Sequence, residues 1–155
     1  LKLSLSFLTG LLACFLLSTS VTRAAGDPIL PNAQLTPGAV MTTDANVICH
    51  RSTSTVRNVP DAEKVAVYKE YNIVNVRGEH EVDHLISLEL GGSNDIKNLW
   101  PQSYKTMPYN AHVKDKLENR LHVLICTGKM SVTDAQQGIA KDWVLLYNKI
   151  FTPLK

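Results

Sequence analysis

The first apolar run of the chain, Leu3 to Leu17, is broken by serines, a threonine and a glycine; Lys2 precedes it, and Ser18 to Ala25 is small and polar with one arginine. A run so short and interrupted predicts a secretory signal peptide over residues 1–25, cleaved after Ala24 or Ala25, in preference to a retained anchor. From 26 to 46 the chain is rich in Pro, Thr, Asn and Gly without an apolar period, which predicts an extended, poorly ordered lead-in. A single domain is expected over residues 47–150. Pro60-Asp61 opens a predicted helix, DAEKVAVYKEYN, with Val65 and Tyr68 facing inward and Tyr71 and Ile73 as further inward candidates.

The stretch Glu79 to Gln102, EHEVDHLISLELGGSNDIKNLWPQ, changes period. Val82, Leu85, Ile86, Leu88 and Leu90 read as strand-like, Gly91 to Asp95 has loop chemistry, and Leu99-Trp100 begins a return, so a ribbon with a wide loop is predicted. Asp83 and His84 are neighbours, and on an ideal strand they face opposite sides. Both serve one site only if the strand twists or bulges there.

Beyond the ribbon, a helix is predicted from about Tyr109 to Cys126. Leu117, Leu121, Leu124 and Ile125 form its apolar stripe, Lys114, Lys116, Glu118 and Arg120 are assigned to its other faces, and Gly128 is its stop. A last helix starts at Ser131 and runs to about Asn148, with Ile139, Trp143 and Leu146 inward. Trp100, Trp143 and Tyr147 are expected in the core.

At DHLISLELGGSNDIKNLWPQ the chain resembles the HNH endonucleases, and more narrowly a set of small exported bacterial proteins whose string is close to EVDHLIPLELGG followed by NLWPQ. The resemblance spans about residues 47 to 145. It implies an α+β fold in which a ββα-metal core carries additional flanking helices. It also implies that Asp83 binds a metal, His84 is the general base and Asn98 pins the ribbon by bonding backbone across the loop. The third ligand falls on Asn110 at the start of the following helix, with His112 as the alternative. Ser87 stands where the usual string has proline, a departure that touches no implied ligand.

These residue types suit one reaction. Phosphodiester hydrolysis needs an activated water and compensation for charge growing on the phosphoryl oxygens, and a histidine near neutral pH can accept the proton. Oxygen donors such as Asp83 and Asn110 suit a hard divalent ion, Mg²⁺ first, with Mn²⁺, Ca²⁺ and Zn²⁺ left open. Arg57, with Arg51 behind it, and Lys114 are the candidates for substrate phosphate, because cationic side chains match phosphate oxygens. Each has a plainer reading as a solvated surface charge.

Charge and cysteines then narrow the setting. The whole chain carries 16 Lys and Arg against 14 Asp and Glu. Losing Lys2 and Arg23 with the signal leaves 14 against 14, so no global field draws in nucleic acid and phosphate binding has to be local. Of three cysteines, Cys14 leaves with the signal. Cys49 and Cys126 remain as a pair for which a disulfide is predicted, two buried thiols being the alternative. The expectation is a periplasmic or secreted monomer without stable membrane association that cleaves DNA, and RNA as a second substrate, with little sequence preference. The competing class is a non-catalytic exported domain that binds a protein or envelope ligand. A toxin-like effector ranks last, since the chain shows no delivery domain.

Overall fold

The structure is a computed structural model that describes residues 27–152; the expected signal peptide lies outside the described residues. Four helices and a two-stranded antiparallel sheet make it a mixed α+β fold. In chain order these are α1 (Ala45–His50), α2 (Asp61–Glu70), β1 (His80–His84), β2 (Leu99–Ser103), α3 (Ala111–Cys126) and α4 (Val132–Phe151). Among the described residues no helix is long and apolar enough to cross a membrane.

The ribbon is regular and short. Asp83 sits opposite Trp100 and His84 opposite Leu99, with no bulge in the register. β1 stops at His84, so the strand-like run expected through Leu90 is shorter than predicted. Leu85, Ile86, Leu88 and Leu90 are all buried, but the Ile86 N–H and carbonyl bond the Asn98 side chain in place of a partner strand, so the ladder ends there. The run turns instead through a 3₁₀ segment, Leu88–Leu90, closed by Gly91 at φ 82°. A Cβ on Gly91 would lie 2.4 Å from Thr42 O, and one on Gly92 only 1.8 Å from Ile86 O, so the Gly-Gly pair serves close backbone approach as well as the turn.

Helices α3 and α4 pack against this loop and against each other, and α3 also packs against α1. Leu117, Leu121 and Ile125 meet Ile139 and Trp143 around Ile86 and Leu90. Gln136 on α4 is nearly sealed, and its Nε2 donates to Thr42 O at 2.8 Å and Leu90 O at 2.7 Å, fastening the last helix to both loops. Cys49 on α1 and Cys126 at the end of α3 are joined in a disulfide, with Cα atoms 5.6 Å apart. Trp100 and Trp143 are fully buried, whereas Tyr147 is half-buried.

Two packing expectations need correction. The segment before α1 contains no helix or strand, yet it is tied to the domain along much of its length. Trp143 Nε1 donates to Ile29 O, Thr36 Oγ1 to Leu99 O, and Gly38 N to Lys97 O, while Val40 bridges Gly92. Its polar composition satisfies backbone groups of the ribbon loop; it is not a loose lead-in. On α2, Tyr68 is buried as expected and Tyr71 and Ile73 beyond it are half-buried, but Val65 is 63% exposed and Val67 is buried in its place.

Candidate functional site

The loop between the strands is closed by one side chain. Asn98 is fully buried, and its amide makes four backbone bonds. Oδ1 accepts from Ile86 N at 3.0 Å and Ala39 N at 3.3 Å, while Nδ2 donates to Ile86 O at 2.9 Å and Ser93 O at 2.8 Å. Its own carbonyl accepts from Leu85 N at 2.8 Å. The residue after His84 is therefore fixed to the far arm of the loop.

His84 ends β1 and is 2% exposed. Its Nε2 lies 3.1 Å from Asn94 Oδ1. Asn94 is oriented by its other partners, since Nδ2 donates to Val56 O at 2.7 Å and Oδ1 accepts from Asn58 N at 3.2 Å. With Oδ1 turned to the ring, Nε2 must carry the imidazole proton, and the lone pair is left on Nδ1, which no described residue bonds. Burial holds the ring below its ordinary pKa. The charges of Arg57 and Lys114 push the same way, against the Asn94 bond and the Asp83 carboxylate. The ring is neutral at pH 7. Arg57 is exposed, acts on His84 through its charge, and its guanidinium has no acidic partner among the described residues.

The neighbouring carboxylate goes elsewhere. Asp83 Oδ2 accepts from Lys114 Nζ at 2.6 Å, and the same ammonium donates to His84 O at 2.7 Å and to Glu118 Oε1. Lys114 is 1% exposed, so the expectation that it reaches a substrate phosphate is corrected: it is an internal cation held by three oxygens. The assignment of Lys114 and Glu118 to polar faces of α3 is corrected with it. Burial pushes the Glu118 carboxyl up, to about 8, against the pull of Lys114. Glu81, on the same face of β1 as Asp83, is likewise raised by burial, and Tyr104, which donates to it at 2.9 Å, is pushed up to about 12.

The register contains no bulge that would bring Asp83 and His84 into one site. Carboxylate and imidazole engage different partners and are linked by the ammonium that bonds both residues. Asn110 is the N-cap of α3, its Oδ1 accepting from Val113 N at 3.2 Å, so one of the two lone pairs of that oxygen is already engaged. His112 is mostly exposed, lies tilted against Tyr104 and stands 3.8 Å from Asp115. Asp83 Oδ2 is thus held by Lys114 and Asn110 Oδ1 by Val113 N, and among the described residues no group of three or more His, Cys, Asp or Glu side chains is arranged to hold a metal ion.

No family model, curated protein or solved structure matches the chain.

Two residues of this geometry escaped the sequence reading. Asn94 passed as generic loop chemistry in GGSND, and nothing local marks it as the partner of His84. Glu118 carried a usable signal: positions 114, 117, 118 and 121 recur at i, i+3, i+4 and i+7, which puts Lys114 and Glu118 inside the apolar stripe of α3.

Proposed function

We propose that this chain hydrolyses phosphodiester bonds in nucleic acid, DNA first and RNA as a second substrate, with His84 as the general base. The observation that carries the reading is the orientation of the imidazole: a neutral ring, its proton held on Nε2 by Asn94, presents a lone pair at Nδ1. In the proposed step Nδ1 takes a proton from water, the hydroxide attacks phosphorus as the bond to the leaving oxygen breaks, and the departing alkoxide takes a proton from solvent. The imidazolium so formed keeps its Nε2–H on Asn94 Oδ1. The unpaired guanidinium of Arg57 offsets negative charge on the phosphoryl oxygens. Asn98 acts at one remove, by fixing the backbone beyond His84. No step is routed through a divalent ion. An exported setting, in which the Cys49–Cys126 disulfide persists, suits the reading.

The second reading is a non-catalytic exported domain that binds a protein or envelope ligand. The observation in its favour is that Lys114 holds the Asp83 carboxylate. One assay separates the two. The full chain is incubated with supercoiled plasmid in chelator, Mg²⁺, Mn²⁺, Ca²⁺ or Zn²⁺, beside a folded His84→Ala variant. Nicking by the native chain and not by the variant is expected; a native chain inert under every condition, or a variant equally active, overturns the enzyme reading.

A further inference from the structure

We propose that the Lys114 ammonium is the resident cation of the junction between ribbon and α3. It fills the place at the Asp83 carboxylate that a divalent ion would otherwise take, and it positions His84 through the main chain.

The geometry accounts for every proton of the group. An ammonium has three donors, and here one goes to Asp83 Oδ2 at 2.6 Å, one to His84 O at 2.7 Å and one to Glu118 Oε1. At 1% exposure it has almost no water, so these three oxygens are what makes its burial tolerable. They come from the end of β1 and from the next turn of α3, so one charge ties the strand to the helix. A divalent ion at Asp83 would have to sit beside this positive charge or expel it. Mg²⁺ also requires near-octahedral coordination by oxygen, whereas the ammonium gathers three oxygens, and the amide oxygen of Asn110 already caps α3. Because one of the three bonds ends on the carbonyl of His84 itself, Lys114 is a positioning residue for that imidazole. It is sealed from any substrate. The inference does not depend on the phosphodiesterase reading, and its test measures binding, so the two fail separately.

The test is a Mn²⁺ titration of the full chain, followed by electron paramagnetic resonance of the free ion, together with thermal melts in Mg²⁺, Mn²⁺ and chelator. The native chain is expected to show no stoichiometric site that depends on Asp83, and its melt is expected to be the same in all three solutions. Lys114→Met leaves the Asp83 carboxylate and the Glu118 carboxyl facing each other without a cation. It is expected to melt lower, to recover with millimolar Mn²⁺, and to take up one ion per chain, a gain that loss of a merely structural lysine would not produce. The native titration decides the matter alone: one Mn²⁺ bound per native chain, and lost in Asp83→Asn, overturns the proposal. So does a Lys114→Met chain that is as stable as the native one and binds no Mn²⁺.

Discussion

Replacing Asn98 by alanine tests how the ribbon loop is held. The substitution removes four partners at once: the Ile86 N–H and carbonyl, the Ser93 carbonyl and the Ala39 N–H. The two Ile86 groups are fully buried, and each left unsatisfied costs roughly 1–3 kcal/mol; the Ser93 and Ala39 groups are part-buried and recover some of their loss from water. Together with the small cavity, the loss comes to about 4 kcal/mol, a large share of the roughly 5–15 kcal/mol that holds a domain folded. Urea unfolding followed by circular dichroism reads it directly. With a slope of about 2 kcal/mol per molar, the midpoint should fall by roughly 2 M. Asn98→Asp keeps the two accepted bonds, loses both donated ones and buries a charge, so it should be no milder. A loss below about 1 kcal/mol in the alanine variant would refute the claim that this amide pins the loop.

Asn94→Ala removes the acceptor on His84 Nε2 and frees the tautomer, so plasmid cleavage should fall by about tenfold or more while the melt moves much less. Equal activity would show that Asn94 does not orient the base. Reducing the Cys49–Cys126 bridge opens a link across a sequence separation of 77. Its loss should cost ~4 kcal/mol and lower the melting temperature by on the order of 15 °C, measured by scanning with and without reductant. A Glu118 carboxyl raised from 4.5 to about 8 in the fold holds a proton there that the unfolded chain has released. Its contribution to stability is therefore complete below the unfolded value and lost as pH rises through about 8. His84, held below 6.5, works the opposite way, its contribution being lost as pH falls below that value, so the comparison belongs above pH 6.5. Between there and pH 8 stability should fall by up to about 1 kcal/mol per pH unit, and Glu118→Gln should flatten the slope.

Much of the scaffold was legible because its signals are local. The Gly-Gly turn and the Leu99-Trp100 return mark the two arms of the ribbon, Asn110 and Ser131 mark where α3 and α4 begin, and an even pair of cysteines marks the bridge. What was not legible depends on surroundings. The run from Leu85 to Leu90 has strand composition, but the Asn98 side chain takes its Ile86 backbone groups in place of a partner strand and it coils. Residues 27–44 read as loose because their long-range hydrogen-bond partners, among them Tyr71, Asn98, Leu99 and Trp143, lie 35 or more residues away in sequence. Val65 was placed inward on α2 by a stripe that α2 does not have. Lys114 was read by its charge alone, and the acceptor oxygens that make a buried lysine tenable come from different elements.

The central claim is that His84 stands neutral, with its proton on Nε2 and its lone pair on Nδ1. Long-range ¹H–¹⁵N correlation spectra of the uniformly labelled full chain, recorded from pH 5 to 8, report both nitrogens of that ring. The account predicts a protonated Nε2 and a bare Nδ1 at pH 7, with a titration midpoint below 6.5. A ring protonated on Nδ1, or one still doubly protonated at pH 7, would contradict it.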